Sequence, residues 1–187
     1  SSTGAGDINI TETDGIILTS LSNTSGAISV TAGGAITATS VTTTGGADTD
    51  DITLSGTDIG LGLVSASTLG DVNLTATAGA ITDGNVGANN IVADDLVLSA
   101  ATNIGDLDDT LNVLIAPVDA IETTLNSLTV STTGAGSEAA IENTSALLTV
   151  TNITPGGANS GSVQISNTGD MTVVAHTLTN AGNSDNL

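Results

Sequence analysis

The sequence predicts an all-β fold in which the chain winds into a parallel β-helix of about eight to nine coils. Two observations lead to this prediction: a short strand-like phrase recurs along the chain, and the large hydrophobic residues are almost all aliphatic. The 187 residues include no Phe, Tyr, Trp, Cys, Lys or Arg. Stacked aliphatic side chains can fill a narrow interior, and Gly and Asn permit sharp corners between short strands.

The recurring phrase is a Gly or Asp pair followed by an alternating aliphatic strand that ends in Thr or Ser. Its first five copies begin at residues 6, 26, 50, 70 and 94, which gives steps of 20, 24, 20 and 24 residues. A repeat of this length without a helical period matches one coil of a parallel β-helix. The copies are GDINIT from Gly6, GAISVT from Gly26, DDITLS from Asp50, GDVNLT from Gly70, DDLVLS from Asp94, NSLTVS from Asn126, ALLTVT from Ala146, GSVQIS from Gly161 and GDMTVV from Gly169.

Each phrase places two aliphatic residues two positions apart. This period is typical of a strand with one buried face, so these residues are predicted to point into the core. Shorter aliphatic islands lie between the phrases, separated by Gly, Asn and Asp, and they predict two or three strands per coil. The predicted inward pairs are Ile8 and Ile10, Ile28 and Val30, Ile52 and Leu54, Val72 and Leu74, Leu96 and Leu98, and Leu128 and Val130.

The repeat indicates a single β-helical domain over residues 1–187. Its rhythm is interrupted once, at about residues 103–127, which we interpret as an enlarged coil with a protruding loop and a helical turn near Asp119 to Leu125. The chain begins at Ser1 with no basic signal region before its first strand, so we expect a segment or processed module of a longer chain.

The formal charge of −20 excludes the usual electrostatic routes to two classes of partner. Phosphates of nucleic acids and anionic membranes are bound largely by Lys and Arg, which this chain lacks. We therefore expect no nucleic-acid binding, and no stretch reaches the roughly 20 apolar residues of a membrane span. Without cationic side chains, the acidic residues must be spread apart, solvated or bridged by cations.

Several phrases resemble the repeats of the filamentous-haemagglutinin type of bacterial exoproteins, which are large adhesins often exported by two-partner secretion. The resemblance implies a right-handed β-helical rod at the bacterial cell surface or outside the cell. The phrases that carry it are GDVNLTATAGAITDGN (Gly70 to Asn85), LSAATNIGD (Leu98 to Asp106), IETTLNSLTVSTTG (Ile121 to Gly134), IENTSALLTV (Ile141 to Val150) and ISNTGDMTV (Ile165 to Val173).

The sequence predicts that the protein is not an enzyme. His176 is the one side chain with an ordinary pKa near neutrality, and no nucleophile elbow such as GxSxG accompanies it. Paired carboxylates such as Asp50 with Asp51 resemble the acid and base of glycoside hydrolysis. However, adjacent strand residues point to opposite faces, and no aromatic platform or cation is available to hold a sugar. We expect no catalytic residue and no required cofactor.

Calcium is the one metal that the composition favours, as an alternative to solvated acidic turns. Two Gly-bearing loops, GGADTDD from Gly45 and GDLDDTLN from Gly105, carry several carboxylates, which are the oxygen ligands that calcium prefers. Neither loop fits the EF-hand pattern. The candidate ligands are Asp48, Asp50, Asp51, Asp106, Asp108 and Asp109.

Asn23, Asn143 and Asn167 each precede Thr shortly before a strand, where Asn can bond to neighbouring backbone groups, so a structural turn role and a stacked ladder are predicted.

No capping element is recognisable at either end of the predicted solenoid, so coils of one copy could stack on those of another. We therefore expect a rigid, protease-resistant extracellular fibre or adhesin stalk whose partner is a further copy of itself. The alternative is an adhesin module that binds a host or cell-surface glycan through its loops, first of all through the loop from Asp106 to Asp109.

Overall fold

A computed structural model describes residues 2–85, 87–107, 119–156 and 161–175. These residues form eighteen strands and no helix. The strands are β1 (Ser2–Ala5), β2 (Ile8–Glu12), β3 (Ile16–Leu18), β4 (Leu21–Ser25), β5 (Ile28–Ala32), β6 (Ile36–Thr43), β7 (Ile52–Gly56), β8 (Ile59–Ser65), β9 (Val72–Ala76), β10 (Ile81–Asp83), β11 (Ile91–Val92), β12 (Asp95–Ala100), β13 (Ile121–Thr124), β14 (Ser127–Thr132), β15 (Ala139–Asn143), β16 (Leu147–Thr154), β17 (Val163–Asn167) and β18 (Asp170–Val173).

The strands form two sheets that the chain visits in alternation. The smaller sheet has eight strands in the order β18-β16-β14-β12-β9-β7-β5-β2, and the larger sheet has ten. Each strand pairs in parallel with the strand of the preceding or following coil. The predicted parallel β-solenoid is therefore confirmed. It has about seven turns, close to the expected eight to nine, while its handedness stays a prediction.

The core consists of inward side chains stacked in register, and we call each such stack a column. The Ile8 column runs along the smaller sheet, and its interior members are at most 1% exposed. The predicted inward pairs all lie in this column or in the one beside it, because the six phrases that contain them keep the same phase. The Ile8 column contains Ile8, Ile28, Ile52, Val72, Leu96, Leu128, Val150 and Val173.

A second inward column lines the larger sheet. We call it the Ile16 column, and its buried members belong to the same hydrophobic core as those of the Ile8 column. Isoleucine dominates this column, since a β-branched side chain packs well on a pleated surface. The Ile16 column contains Ile16, Ile36, Ile59, Ile81, Ile104, Ala139 and Val163.

Two of the later phrases do not occupy the coil positions that the sequence predicts for them. The phrase from Gly161 forms β17 in the larger sheet rather than a strand of the smaller one. In β16, Val150 instead of Leu148 pairs with Leu128, and the register shifts again before Asn152 pairs with Thr129. A β-bulge accommodates one extra residue, so local alternation alone does not determine which coil position a residue occupies.

The segment around residues 103–127 also differs in one respect. The expected helical turn near Asp119 to Leu125 is wrong, because Ile121–Thr124 forms β13 and pairs in parallel with β15. An antiparallel bridge joins Asp106 to Asp119. Residues 108–118, within the expected loop, lie outside the described residues. Within the described chain, no helix is long and apolar enough to span a membrane.

Candidate functional site

The outer face of the eight-stranded sheet brings chemically similar side chains together from distant parts of the sequence. Residues that directly precede the inward Ile8 column include three aspartates in consecutive coils, Asp51, Asp71 and Asp95, which we call the acidic column. Asp51 Oδ1 accepts a hydrogen bond from the backbone N–H of Asp71 at 3.0 Å. Asp71 Oδ1 in turn accepts one from the N–H of Asp95 at 3.2 Å. The carboxylates of Asp51 and Asp71 therefore each tie their own coil to the next.

The acidic column is electrostatically unfavourable when it is fully ionised. Partial burial raises the pKa of Asp71 above its ordinary value, and the carboxylates of Asp95, Asp51 and Asp48 act in the same direction. The N–H of Asp95 opposes this shift because it bonds to the charged form. No Lys or Arg exists in the chain to compensate these charges. Protonation or an external cation is therefore the available means of relieving the repulsion.

A shallow groove of about 260 Å³ follows the acidic column. Thr53, Asn73 and Val97 line its other side, and they belong to a second outward column. The groove thus offers carboxylates on one side and hydroxyl, amide and aliphatic groups on the other. Such a surface can accept and donate hydrogen bonds to hydroxyl-bearing molecules and to water.

A third outward column consists of hydroxyl side chains only, and we call it the hydroxyl column. It continues through seven successive coils, whose strands lie about 4.8 Å apart. The recurring phrase contained the signal for it, since each of its first six copies ends in Thr or Ser, but the alignment between copies required the register. The hydroxyl column contains Thr11, Thr31, Ser55, Thr75, Ser99, Ser131 and Thr154.

The Asp50 side chain stabilises the backbone of two adjacent coils. It is buried, and its two carboxylate oxygens accept the backbone N–H groups of Gly26 at 2.6 Å and Ala47 at 2.8 Å. The N–H groups of Ala47 and Gly26 lower the pKa of Asp50 below its ordinary value. Because both oxygens are engaged, Asp50 joins the turn of its own coil to that of the preceding one.

The other predicted calcium ligands are not brought to one place. Asp51 lies in the acidic column, whereas Asp48 and Asp106 are exposed in different coils. Asp108 and Asp109 lie outside the described residues, as does His176. Within the described part of the chain, no group of three acidic or histidine side chains has the arrangement needed to hold a metal ion. Calcium binding by the two loops stays a prediction.

A second acidic group, which sequence reasoning missed, lies on the larger sheet. Glu122 stands beside Glu142 of the next coil, in register. Burial raises the pKa of Glu122 above its ordinary value, and the carboxylates of Asp83 and Glu142 act in the same direction. Glu122 Oε2 and Asp83 Oδ2 are buried without a hydrogen-bond partner. Asn90 supports this corner, because its side chain bonds to Asp83 Oδ1 at 2.8 Å and accepts the N–H of Glu122 at 2.9 Å.

The predicted ladder is confirmed for Asn143 and Asn167, whereas the predicted turn position is wrong, because Asn23, Asn143 and Asn167 all lie in strands. The Asn143 side chain donates to Asn167 Oδ1 at 2.9 Å and accepts from the Thr123 hydroxyl at 2.9 Å, so a short polar ladder crosses three coils. Asn23 instead donates to the carbonyl oxygens of Gly6 at 2.8 Å and Gly26 at 3.0 Å. These side chains satisfy backbone groups at corners, as buried polar groups generally do.

Comparisons of this chain with protein-family models, curated proteins and solved structures found no significant match. The architecture therefore defines the class: the chain is a parallel β-solenoid repeat protein.

Proposed function

We propose that this protein is a structural, non-catalytic extracellular rod, either a fibre subunit or an adhesin stalk, that extends by stacking head to tail. The observation that carries the proposal is the parallel pairing that continues from coil to coil in both sheets. The inward side chains of the last described coil line an apolar groove of about 300 Å³, which we call the C-terminal groove. Its lining residues are Val150, Ile153, Val163, Ile165, Met171 and Val173.

The shape of the molecule supports a mechanical role. Seven intervals of about 4.8 Å give a stack about 34 Å long with parallel pairing throughout its two sheets. Parallel coils transmit load through many backbone hydrogen bonds, and a solenoid can lengthen without changing its cross-section. The resemblance of the repeats to filamentous-haemagglutinin exoproteins favours a bacterial surface location and secretion to the outside of the cell.

Electron microscopy and analytical ultracentrifugation of the purified chain at increasing concentration test this function. We expect rods that lengthen in multiples of one unit as concentration rises. Dispersed monomers at high concentration would argue against fibres made of separate subunits. A compact, non-rod outline would argue against the structural role itself.

The second candidate function is glycan or cell-surface binding through the loops, and one observation favours it. Asp106 and Asp119 are bridged to each other although twelve residues separate them in the sequence, so the chain carries an insertion at this point. Insertions in repeat proteins commonly carry binding functions. A glycan array should then show binding by the whole chain and none by a variant that joins Asp106 directly to Asp119. Equal binding by both proteins would exclude this loop as the binding element.

A further inference from the structure

We infer that the outer face of the eight-stranded sheet binds ice. The binding surface is a two-dimensional array of hydroxyl and amide groups, formed by the hydroxyl column and by the second outward column beside it. This inference goes beyond the proposed structural role and does not depend on assembly of several copies. The second outward column contains Asn9, Ser29, Thr53, Asn73, Val97, Thr129 and Asn152.

The array is regular in two directions. Every step along the two columns is a direct parallel pair, as between Thr31 and Ser55. Ser99 also pairs directly with Ser131, although the insertion lies between them in the sequence. Neighbouring strands lie about 4.8 Å apart, and alternate residues of one strand lie about 6.7 Å apart. The array therefore has one repeat along the solenoid and a longer one across it, and both columns pass through the same seven coils.

The polar groups of the array face water and are available for binding. Strand alternation directs them outward, since Ile52 and Leu54 on either side of Thr53 are fully buried. The Thr154 hydroxyl accepts a hydrogen bond from the Asn152 side chain at 3.1 Å. Among the described residues, the other six hydroxyls of the hydroxyl column form no hydrogen bond with the protein. Each of them can donate one hydrogen bond to water and accept others.

Ice is the ligand whose own order matches this array. On the prism faces of hexagonal ice, water oxygens lie on a rectangular net whose two repeats are close to those of the array. Hydroxyl groups held at such spacings can place the first layer of water where the lattice requires it. The sheet is ordered before binding, so little conformational entropy is lost when the surface engages. Water held between the two surfaces makes hydrogen bonds nearly as favourable as direct ones.

The composition of the chain favours ice over an ionic or a sugar ligand. Ice carries no net charge, so the −20 charge of the chain does not oppose contact with it. An anionic ligand would be repelled by this charge and would find no Lys or Arg to bind it. A sugar ring would find no aromatic side chain on which to stack. A lattice of water molecules requires neither a cation nor an aromatic ring.

Ice-affinity partition of the purified full chain tests the inference. Ice grown slowly from a dilute solution excludes most proteins and takes up those that bind its surface. We expect the unaltered chain to be enriched in the ice, and crystals grown in its presence to show facets under the microscope. Thr75→Tyr places a large ring at the centre of the hydroxyl column, so its uptake should fall to that of a protein that does not bind ice. Ser99→Thr keeps the hydroxyl group and should retain the uptake.

Thr37→Tyr is the matched control, because Thr37 is exposed on the outer face of the larger sheet. Ile17 and Gly60 flank it there in register and interrupt any row of hydroxyl groups. This variant should enter the ice like the unaltered chain, and thermal melts should show that all three variants fold. Exclusion of the unaltered chain from ice would overturn the inference, as would equal uptake by Thr75→Tyr. Equal loss in both Tyr variants would also overturn it, because the effect would not belong to this face.

Discussion

At the scale of single residues, the closeness of adjacent coils determines where side chains are tolerated. The N–H of Gly33 bonds to the carbonyl of Glu12 at 2.9 Å, so the two coils meet directly at this turn. A Cβ at position 33 would overlap the carbonyl oxygen of Thr13, which is backbone and cannot rotate away. Close approach of the backbone therefore requires glycine here.

We predict that Gly33→Ala lowers the free energy of unfolding by about 1–3 kcal/mol, the usual cost of overpacking. Urea denaturation measures the effect. Gly6→Ala is the matched control, because a Cβ at position 6 would meet no atom within 4 Å. Equal stability of the two variants would contradict the close approach.

The carboxylates with shifted pKa values predict an unusual dependence of stability on pH. Asp71 and Glu122 have raised pKa values in the folded chain. Their contribution to the free energy of unfolding is therefore fully present below the pKa values of the unfolded chain, about 3.9 and 4.3. It is lost as the pH rises through the pKa values of the folded chain. Asp50 has a lowered pKa, so its contribution is present above about 3.9 and is lost as the pH falls through the folded value. We expect maximal stability on the acid side of neutrality.

Melting temperatures measured between pH 3 and pH 8 test this expectation. Asp71→Asn should raise the melting temperature at pH 7, because it removes the charge that burial disfavours. It should also make the melting temperature depend less on pH near neutrality. Asp14→Asn provides the same charge change at an exposed turn and should raise the melting temperature less. Identical curves for the two variants would show that net charge, rather than the acidic column, controls the dependence.

Calcium binding at the two acidic loops predicts that a chelator lowers the melting temperature. The predicted ligands are Asp48, Asp50 and Asp51 in one loop and Asp106, Asp108 and Asp109 in the other. Because Asp50 already bonds to two backbone N–H groups, we expect Asp50→Asn to destabilise the chain with or without calcium. An unchanged melt after chelation at equal ionic strength would count against the metal.

At the scale of an element, each strand divides its side chains between two environments. In β7, Leu54 is fully buried in the core, whereas the adjacent Thr53 is exposed on the outer face. We predict that Leu54→Ala costs about 2–5 kcal/mol, through lost burial and the cavity left behind. Thr53→Ala should change the free energy of unfolding by no more than about 0.5 kcal/mol.

Denaturant titration of the two β7 variants side by side decides this point. A small loss at position 54 would mean that neighbouring coils collapse into the cavity, which the parallel register on both sides of β7 opposes. A large loss of stability in Thr53→Ala would mean that Thr53 makes a stabilising contact, which its exposed position on the outer face does not predict.

At the scale of the whole molecule, composition and fold together predict resistance to proteolysis. The chain contains no Lys or Arg and no aromatic residue, so it offers trypsin no site and chymotrypsin none of its preferred sites. Digestion with each enzyme followed by intact-mass measurement should recover the uncut chain after trypsin, even when it is unfolded in urea. Subtilisin, which has broad specificity, serves as the control and should cut the unfolded chain readily.

The sequence by itself determined the class of fold and the direction of most strand side chains. Alternation in each phrase placed Ile28, Ile52 and Leu98 in the core, because a strand with one buried face requires apolar residues at every second position. Composition alone also shows that the chain has no Lys or Arg. Repulsion among the carboxylates is therefore not compensated by these residues.

Only the tertiary structure decided which distant residues stand next to one another. Asp51, Asp71 and Asp95 form a column because the turns between their coils absorb unequal numbers of residues, a property that depends on packing of whole coils. The same holds for Glu122 beside Glu142, and for the register of β16, which sets Val150 between Leu128 and Val173. Strand periodicity is local and can be read along the chain, whereas register is a relation between coils and is settled by how they stack.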